Sequence, residues 1–197
     1  MNSFGDAVVL CGGVSSRMPF DKTYIKIKGR YLLEVIIEQL KCVFSDVRLS
    51  VATEGKLTMF DTEVITDVID GRFGPAVGIY SALMQAKSEY VFVIAGDMPH
   101  INTDHIRLMI ELLETNGCKA DALVPMNGIY IEPLYSFYSV RLTERFKTEI
   151  EAGNYKIHEI LKKGETIYMD ERYSRMFDDK LSMFTNINSI SDLEHIS

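Results

Sequence analysis

The chain has 197 residues, of which 47% are hydrophobic and 25% are charged, proportions that are ordinary for a globular protein with one sizeable core. Its formal net charge of -7 argues against nucleic-acid binding, which needs clustered basic residues, although local cations and helix amides can still hold a small anion. No apolar run is long enough to span a bilayer, and the first residues lack the features of a signal peptide. We therefore expect a cytoplasmic protein without a membrane segment, folded as a single domain over residues 1–197.

Apolar runs typical of strands alternate along the chain with stretches of helical spacing. The predicted strands are residues 7–11, 47–52, 64–65, 90–95, 122–125 and 134–138. The predicted helices are residues 31–43, 76–86, 103–115 with Thr103 as N-cap, 140–152 and 157–163. This alternation predicts an α/β fold, Rossmann-like and doubly wound, with a mostly parallel sheet. Ligands of such folds bind beyond the carboxyl ends of the strands, in the loops after Cys11, Ile65 and Ala95.

The loop after the first predicted strand begins with Gly12 and Gly13 and continues through Arg17 to Lys22. Adjacent glycines let the backbone approach a ligand and turn its amides toward an anion. The side chains of Arg17 and Lys22 can neutralise phosphate oxygens. The loop is neither a Walker A motif, since Asp21 instead of glycine precedes the lysine, nor a GxGxxG fingerprint. A glycine turn with two surface cations is the alternative interpretation.

The loop after the predicted strand 90–95 carries Asp97, followed by Met98 and Pro99. A carboxylate at the end of a buried strand suits Mg²⁺, which typically takes one or two protein carboxylates together with substrate phosphates. The alternative is a loop aspartate that caps the following helix.

Asn186 and Asn188 have the spacing of residues that point the same way in an extended segment. Two amides on one side suit a polar heterocycle, although asparagine in turns is the commoner explanation.

Together these motifs resemble the molybdenum cofactor guanylyltransferase (MobA) family. The matching segments, in the family's order, are residues 10–22 (LCGGVSSRMPFDK), 74–78 (GPAVG), 96–99 (GDMP) and 184–193 (FTNINSISDL). Many nucleotidyltransferases share the first segment, whereas the terminal Asn-x-Asn segment is typical of the molybdenum cofactor branch. The resemblance implies a Rossmann-like sheet of the nucleotidyltransferase type.

The resemblance also implies transfer of GMP from GTP to molybdopterin, or to its molybdenum-loaded form, with release of pyrophosphate. It implies Mg²⁺ held by Asp97 and a pterin side formed by Asn186 and Asn188. The implied nucleotide-binding residues are Leu10, Cys11, Gly12, Gly13, Lys22, Ser50, Asp67 and Asp97. Ser50 stands where the family often has asparagine, and Lys156 alone represents the basic residue expected on the pterin side.

The implied chemistry is an in-line attack by the terminal phosphate of molybdopterin on the α-phosphorus of GTP, with Arg17, Lys22 and Asp97 as the catalytic residues. One alternative is a related transferase that uses CTP or a sugar or alditol phosphate acceptor. Another is a non-catalytic nucleotide-binding homologue. Candidate protein partners are a cofactor-maturation protein and a recipient apoenzyme.

Overall fold

A computed structural model describes residues 3–11, 22–69 and 74–187 of the chain, together with Asp192. The strands in these ranges are β1 (Asp6–Leu10), β2 (Lys26–Ile27), β3 (Arg30–Tyr31), β4 (Asp46–Val51), β5 (Glu63–Thr66), β6 (Tyr90–Ala95), β7 (Ala122–Asn127), β8 (Tyr130–Ile131), β9 (Tyr135–Ser139) and β10 (Thr166–Met169). The α-helices are α1 (Leu32–Leu40), α2 (Pro75–Met84), α3 (Thr103–Thr115), α4 (Thr143–Glu151), α5 (Ile157–Leu161) and α6 (Glu171–Arg175).

The main sheet of the described residues runs in the order β10-β7-β9-β6-β1-β4-β5, with β8 paired to β7 beside this path. The pairs β6–β1, β1–β4, β4–β5 and β7–β10 are parallel. β9 is antiparallel to both of its neighbours, β6 and β7. The predicted α/β fold with a mostly parallel sheet is therefore confirmed.

Successive residues of a strand point to opposite faces of the sheet. Because the central strands carry apolar side chains on both faces, both faces are covered by helices. Ala7 and Val9 of β1 pack in the layer of α1 and α3, whereas Val8 and Leu10 pack in the layer of α2, α4 and α5. Every residue of β6 is buried. A strand buried on both faces has a continuous apolar sequence, which is why β1 and β6 were predictable.

The structure corrects the predicted start of α3. Thr103, predicted as its N-cap, is the first helical residue, and the cap is Asn102, whose side chain accepts a hydrogen bond from the His105 amide at 3.0 Å. β2, β3, β8, β10 and α6 are further elements that the sequence patterns did not predict. No helix in the described part of the chain combines the length and the apolar character that crossing a membrane requires.

Candidate functional site

The carboxyl ends of β6, β1, β4 and β5 lie side by side at one edge of the sheet. Backbone hydrogen bonds extend this order into the loops: Gly96 donates to Leu10 at 2.9 Å, Cys11 to Ser50 at 2.8 Å and Asp67 to Val51 at 3.0 Å. Five predicted nucleotide-binding residues are thereby brought to a single edge: Leu10, Cys11, Ser50, Asp67 and Asp97. The predicted residues Gly12, Gly13, Arg17 and Asn188 lie outside the described residues.

Lys22 and Asp97 form an ion pair at this edge although they are 75 positions apart in sequence, with 2.9 Å between Nζ and Oδ2. Their side chains keep 19% and 21% of their surface exposed, so the pair is within reach of a ligand. Lys22 also donates to the carbonyl of Ile187 at 2.6 Å, and the Ile187 amide donates to the Asp97 carbonyl at 2.8 Å. The end of the glycine loop, the loop after β6 and the segment of Asn186 therefore meet.

The carboxylate of Asp97 fits the donor set of a magnesium site. It lies at the end of a buried strand, is partly exposed, and already pairs with the positive charge of Lys22. Within the described ranges no group of three or more His, Cys, Asp and Glu side chains is arranged to hold a metal. A single aspartate is nevertheless sufficient for Mg²⁺, which retains several waters and draws its remaining ligands from substrate phosphates.

Asp67 lies at the end of β5 and is held by residues of two neighbouring elements. The Ser50 hydroxyl donates to its Oδ1 at 3.4 Å. Burial raises the pKa of the Asp67 carboxyl, and hydrogen bonding to Ser50 and Ser81 partly opposes that rise. Ser81, fully buried in α2, accepts a hydrogen bond from the Val68 amide at 3.0 Å, and its single hydroxyl hydrogen is shared between the Val77 carbonyl at 2.8 Å and the Asp67 carboxylate. The loop that carries Asp67 is thus tied to α2.

Two glycines of the predicted motifs make close packing possible behind this edge. A Cβ at Gly78 would lie 3.2 Å from the side chain of Leu10, and a Cβ at Gly96 would lie 3.2 Å from that of Leu33 and 3.3 Å from the Leu10 carbonyl. A larger residue would press against the Leu10 side chain at position 78 and against Leu33 and the Leu10 backbone at position 96. These glycines therefore set the spacing between β1, α2 and the loop of Asp97.

Sequence reasoning missed three polar residues at this edge, namely Ser81, Asn127 and Glu132. Ser81 was hidden in an apolar helical run, where a serine can be recognised only through its tertiary partners. Asn127 ends β7 and donates from Nδ2 to Oε1 of the partly buried Glu132 at 3.2 Å. Lys156, predicted on the pterin side, is exposed and pairs with Glu159 at 3.0 Å.

Comparison with known proteins finds relatives in sequence and in structure. Residues 7–167 match the model of the MobA-like NTP transferase domain. The chain is 37% identical to the molybdenum cofactor guanylyltransferase of Syntrophotalea carbinolica, over 97% of this chain and 90% of that protein. It is 34% identical to a probable molybdenum cofactor guanylyltransferase of Peptoclostridium acidaminophilum, over 98% and 89% of the two chains. The crystal structure of molybdopterin-guanine dinucleotide biosynthesis protein A from Archaeoglobus fulgidus superposes with a TM-score of 0.83 at 28% identity, covering 96% and 95%.

Proposed function

The chain belongs to the family of MobA-like NTP transferase domains, and we propose that it transfers GMP from GTP to molybdopterin, or to its molybdenum-loaded form, releasing pyrophosphate. The observation that carries the proposal is the contact of Lys22 with both Asp97 and the Ile187 carbonyl. Lys22 is a cation suited to nucleotide phosphates, and Asp97 is a carboxylate suited to the accompanying Mg²⁺. Both lie next to Ile187, in the segment proposed for the acceptor. One of the relatives above is named a molybdenum cofactor guanylyltransferase and another a probable one, which supports the same reaction here.

In the proposed reaction, an oxygen of the terminal phosphate of molybdopterin forms a bond to the α-phosphorus of GTP. The bond between the α-phosphorus and the bridging oxygen breaks, and pyrophosphate leaves. A phosphate monoester is already a nucleophile at neutral pH, so no side chain has to remove a proton. The chain's contribution is to position the two phosphates and to stabilise negative charge.

Lys22 is the described residue best suited to charge stabilisation, because its ammonium group is a compact positive charge at the meeting point of three loops. Asp97 would hold Mg²⁺, which when bound supplies further positive charge beside the phosphate oxygens. Arg17 is also proposed to contact the departing pyrophosphate, because the segment of residues 10–22 resembles that of the family.

Asp67 is proposed to select guanine. Its carboxylate oxygens can accept the N1 and N2 hydrogens of that base, and adenine lacks this pair of donors. The contacts to Ser50 and Ser81 support the proposal, since a side chain must be held in one position to distinguish two bases. Ser50, in place of an asparagine, offers one hydroxyl where an amide would offer more hydrogen bonds.

A panel of nucleoside triphosphates tests the proposal. Pyrophosphate release is measured with Mg²⁺ from GTP, CTP, ATP and UTP, with and without molybdopterin, and the dinucleotide product is identified by mass spectrometry. We expect release only with GTP and molybdopterin together, and its loss when a chelator removes Mg²⁺. Comparable release from CTP would favour a cytidylyltransferase, and tight GTP binding without any release would identify a non-catalytic homologue.

A further inference from the structure

Glu132 is a partly buried carboxylate that the proposed reaction does not use. It follows β8, and its amide donates to the Pro125 carbonyl of β7 at 2.9 Å. Further along the same turn, the Leu134 carbonyl accepts the amide of Ala95, the last residue of β6, at 3.1 Å. The turn of Glu132 therefore lies at the carboxyl edge, beside the strand whose loop carries Asp97.

The strand order puts Glu132 and Asp67 on opposite sides of Asp97. β9 and β7 lie on one side of β6, whereas β1, β4 and β5 lie on the other. Asp67 follows β5 and is assigned to the guanine base under the proposed function. The acceptor must enter from the side that the nucleotide does not occupy, and Glu132 lies on that side.

The carboxylate of Glu132 retains capacity to accept hydrogen bonds. Among the described residues its one side-chain donor is Asn127, which bonds to Oε1 at 3.2 Å. An ionised carboxylate offers about four lone-pair sites on two oxygens, so most of them remain for a ligand. Burial raises the pKa of the Glu132 carboxyl, and the Asn127 hydrogen bond only partly opposes this rise, as expected for a carboxylate with too few donors.

The acceptor has the donors that such a carboxylate requires. A pterin ring carries a 2-amino group next to the N3 hydrogen, and this pair of N–H groups has the same arrangement as the N1 and N2 hydrogens of guanine. We propose that Glu132, oriented by Asn127, binds this edge of the pterin and is the acceptor-side counterpart of Asp67. The inference rests on the proposed function, since it takes molybdopterin as the acceptor.

The first experiment compares Glu132→Gln with the wild-type protein. The kcat/KM for molybdopterin should fall at least about tenfold, because an amide presents only one acceptor to the two pterin donors, while the KM for GTP stays within about twofold. Glu132→Asp should recover part of the loss, and Asn127→Ala should show a smaller loss of the same kind. The matched control is Glu111→Gln, which changes an exposed glutamate of α3 and should alter neither constant. Equal losses for GTP and molybdopterin would assign Glu132 a structural role and overturn the proposal.

A second experiment tests recognition of the ring itself. Pterin and lumazine, in which a carbonyl replaces the 2-amino group, are compared as inhibitors competitive with molybdopterin. The wild type should prefer pterin by about tenfold or more, and Glu132→Gln should lose this preference because an amide can also donate to the carbonyl. An unchanged preference would overturn the proposal.

Equilibrium binding of molybdopterin without GTP separates this inference from the proposed function. If the wild type transfers GMP to molybdopterin while Glu132→Gln binds it as tightly as the wild type, the inference fails and the function stands. If the wild type transfers no GMP but binds molybdopterin and Glu132→Gln does not, the function fails and the assignment of Glu132 stands.

Discussion

Two ion pairs, one at each edge of the sheet, have opposite surroundings. Arg48 and Asp6 lie toward the amino ends of β4 and β1, with 2% and 0% of their side chains exposed. Arg48 donates to both Asp6 oxygens at 2.6 Å and to the Gln85 carbonyl at 2.6 Å, and the Lys87 amide donates to Asp6 at 2.8 Å. The pair of Lys22 and Asp97 at the carboxyl edge is one-fifth exposed.

The difference shows what separates a structural ion pair from one available to a ligand. The partners of Arg48 and Asp6 are all supplied by the fold, and almost none of their surface is exposed, so a ligand has no access. Lys22 and Asp97 both lie outside the strands and keep about one-fifth of their side-chain surface exposed, so a phosphate or a metal ion can approach them. An ion pair of the same kind is therefore part of the buried fold at the amino edge, whereas at the carboxyl edge it is proposed to bind phosphate and Mg²⁺.

Asp97→Asn should produce the largest effect on activity. Transfer should fall by at least about a thousandfold, because the amide is a poor Mg²⁺ ligand and charge stabilisation is lost. The melting temperature should stay close to the wild-type value, since a partly exposed loop carboxylate contributes little to the core. Asp104→Asn, at an exposed position of α3, is the matched control and should leave activity unchanged. Substantial activity of Asp97→Asn at saturating Mg²⁺ would remove Asp97 from the metal site.

Arg48→Ala should instead destabilise the fold by about 3–5 kcal/mol, since it leaves the buried carboxylate of Asp6 without its charged partner. The measurement is the free energy of unfolding in urea. Replacing both partners, with Asp6→Leu and Arg48→Met together, should recover much of the loss, because a buried pair can be exchanged for apolar side chains at little net cost. If the double variant is as unstable as the sum of the single ones, the pair is not the source of the effect.

Lys22→Ala should lower the kcat/KM for GTP by about a hundredfold, the scale lost with one charge-stabilising donor. In the absence of nucleotide the same variant should bind Mn²⁺ more tightly, because the ammonium that competes for Asp97 is gone. Lys41→Ala, which removes a cation that donates to the Asp61 carbonyl away from the site, is the control for both measurements. A change in kcat/KM below threefold would leave Lys22 as a solvated surface cation.

Ser81→Ala should have the smallest effect and should act on selectivity. Without the hydroxyl, the Val68 amide loses its partner and the loop of Asp67 is less constrained. We expect the preference for GTP over ITP, which lacks the 2-amino group, to fall about fivefold, the value of one weakened hydrogen bond. The matched control is Ser88→Ala, which removes a buried serine that accepts from the Gly5 amide at 3.0 Å. That variant should lose a similar amount of stability with an unchanged GTP-to-ITP ratio, and an equal change in both variants would make Ser81 structural.

Asn186 and Asn188 are predicted to form the acceptor segment, and of the two Asn186 is among the described residues. Asn186 is partly buried next to Ile187, whose backbone contacts Lys22 and Asp97. This connection supports a position near the reacting phosphates, whereas a contact of either asparagine with the pterin stays a prediction.

The amino-acid sequence by itself determined the central strands, the helices between them and the family. β1 and β6 are continuous apolar runs, and Asp97 follows the second of them, so a local pattern was sufficient to direct attention to that loop. The glycines at positions 74, 78 and 96 were also evident without a structure.

Only the tertiary structure decided which residues meet and what each polar residue is for. Arg48 lies in a predicted strand, yet its burial depends on Asp6 and on the end of α2, which no periodicity reveals. Lys22 reaches Ile187 across 165 positions, and Glu132 comes to the carboxyl edge of the sheet because β9 inserts antiparallel between β6 and β7. The physical reason is that side-chain periodicity reports one element at a time, whereas a site at a sheet edge is assembled by the order in which the strands pair.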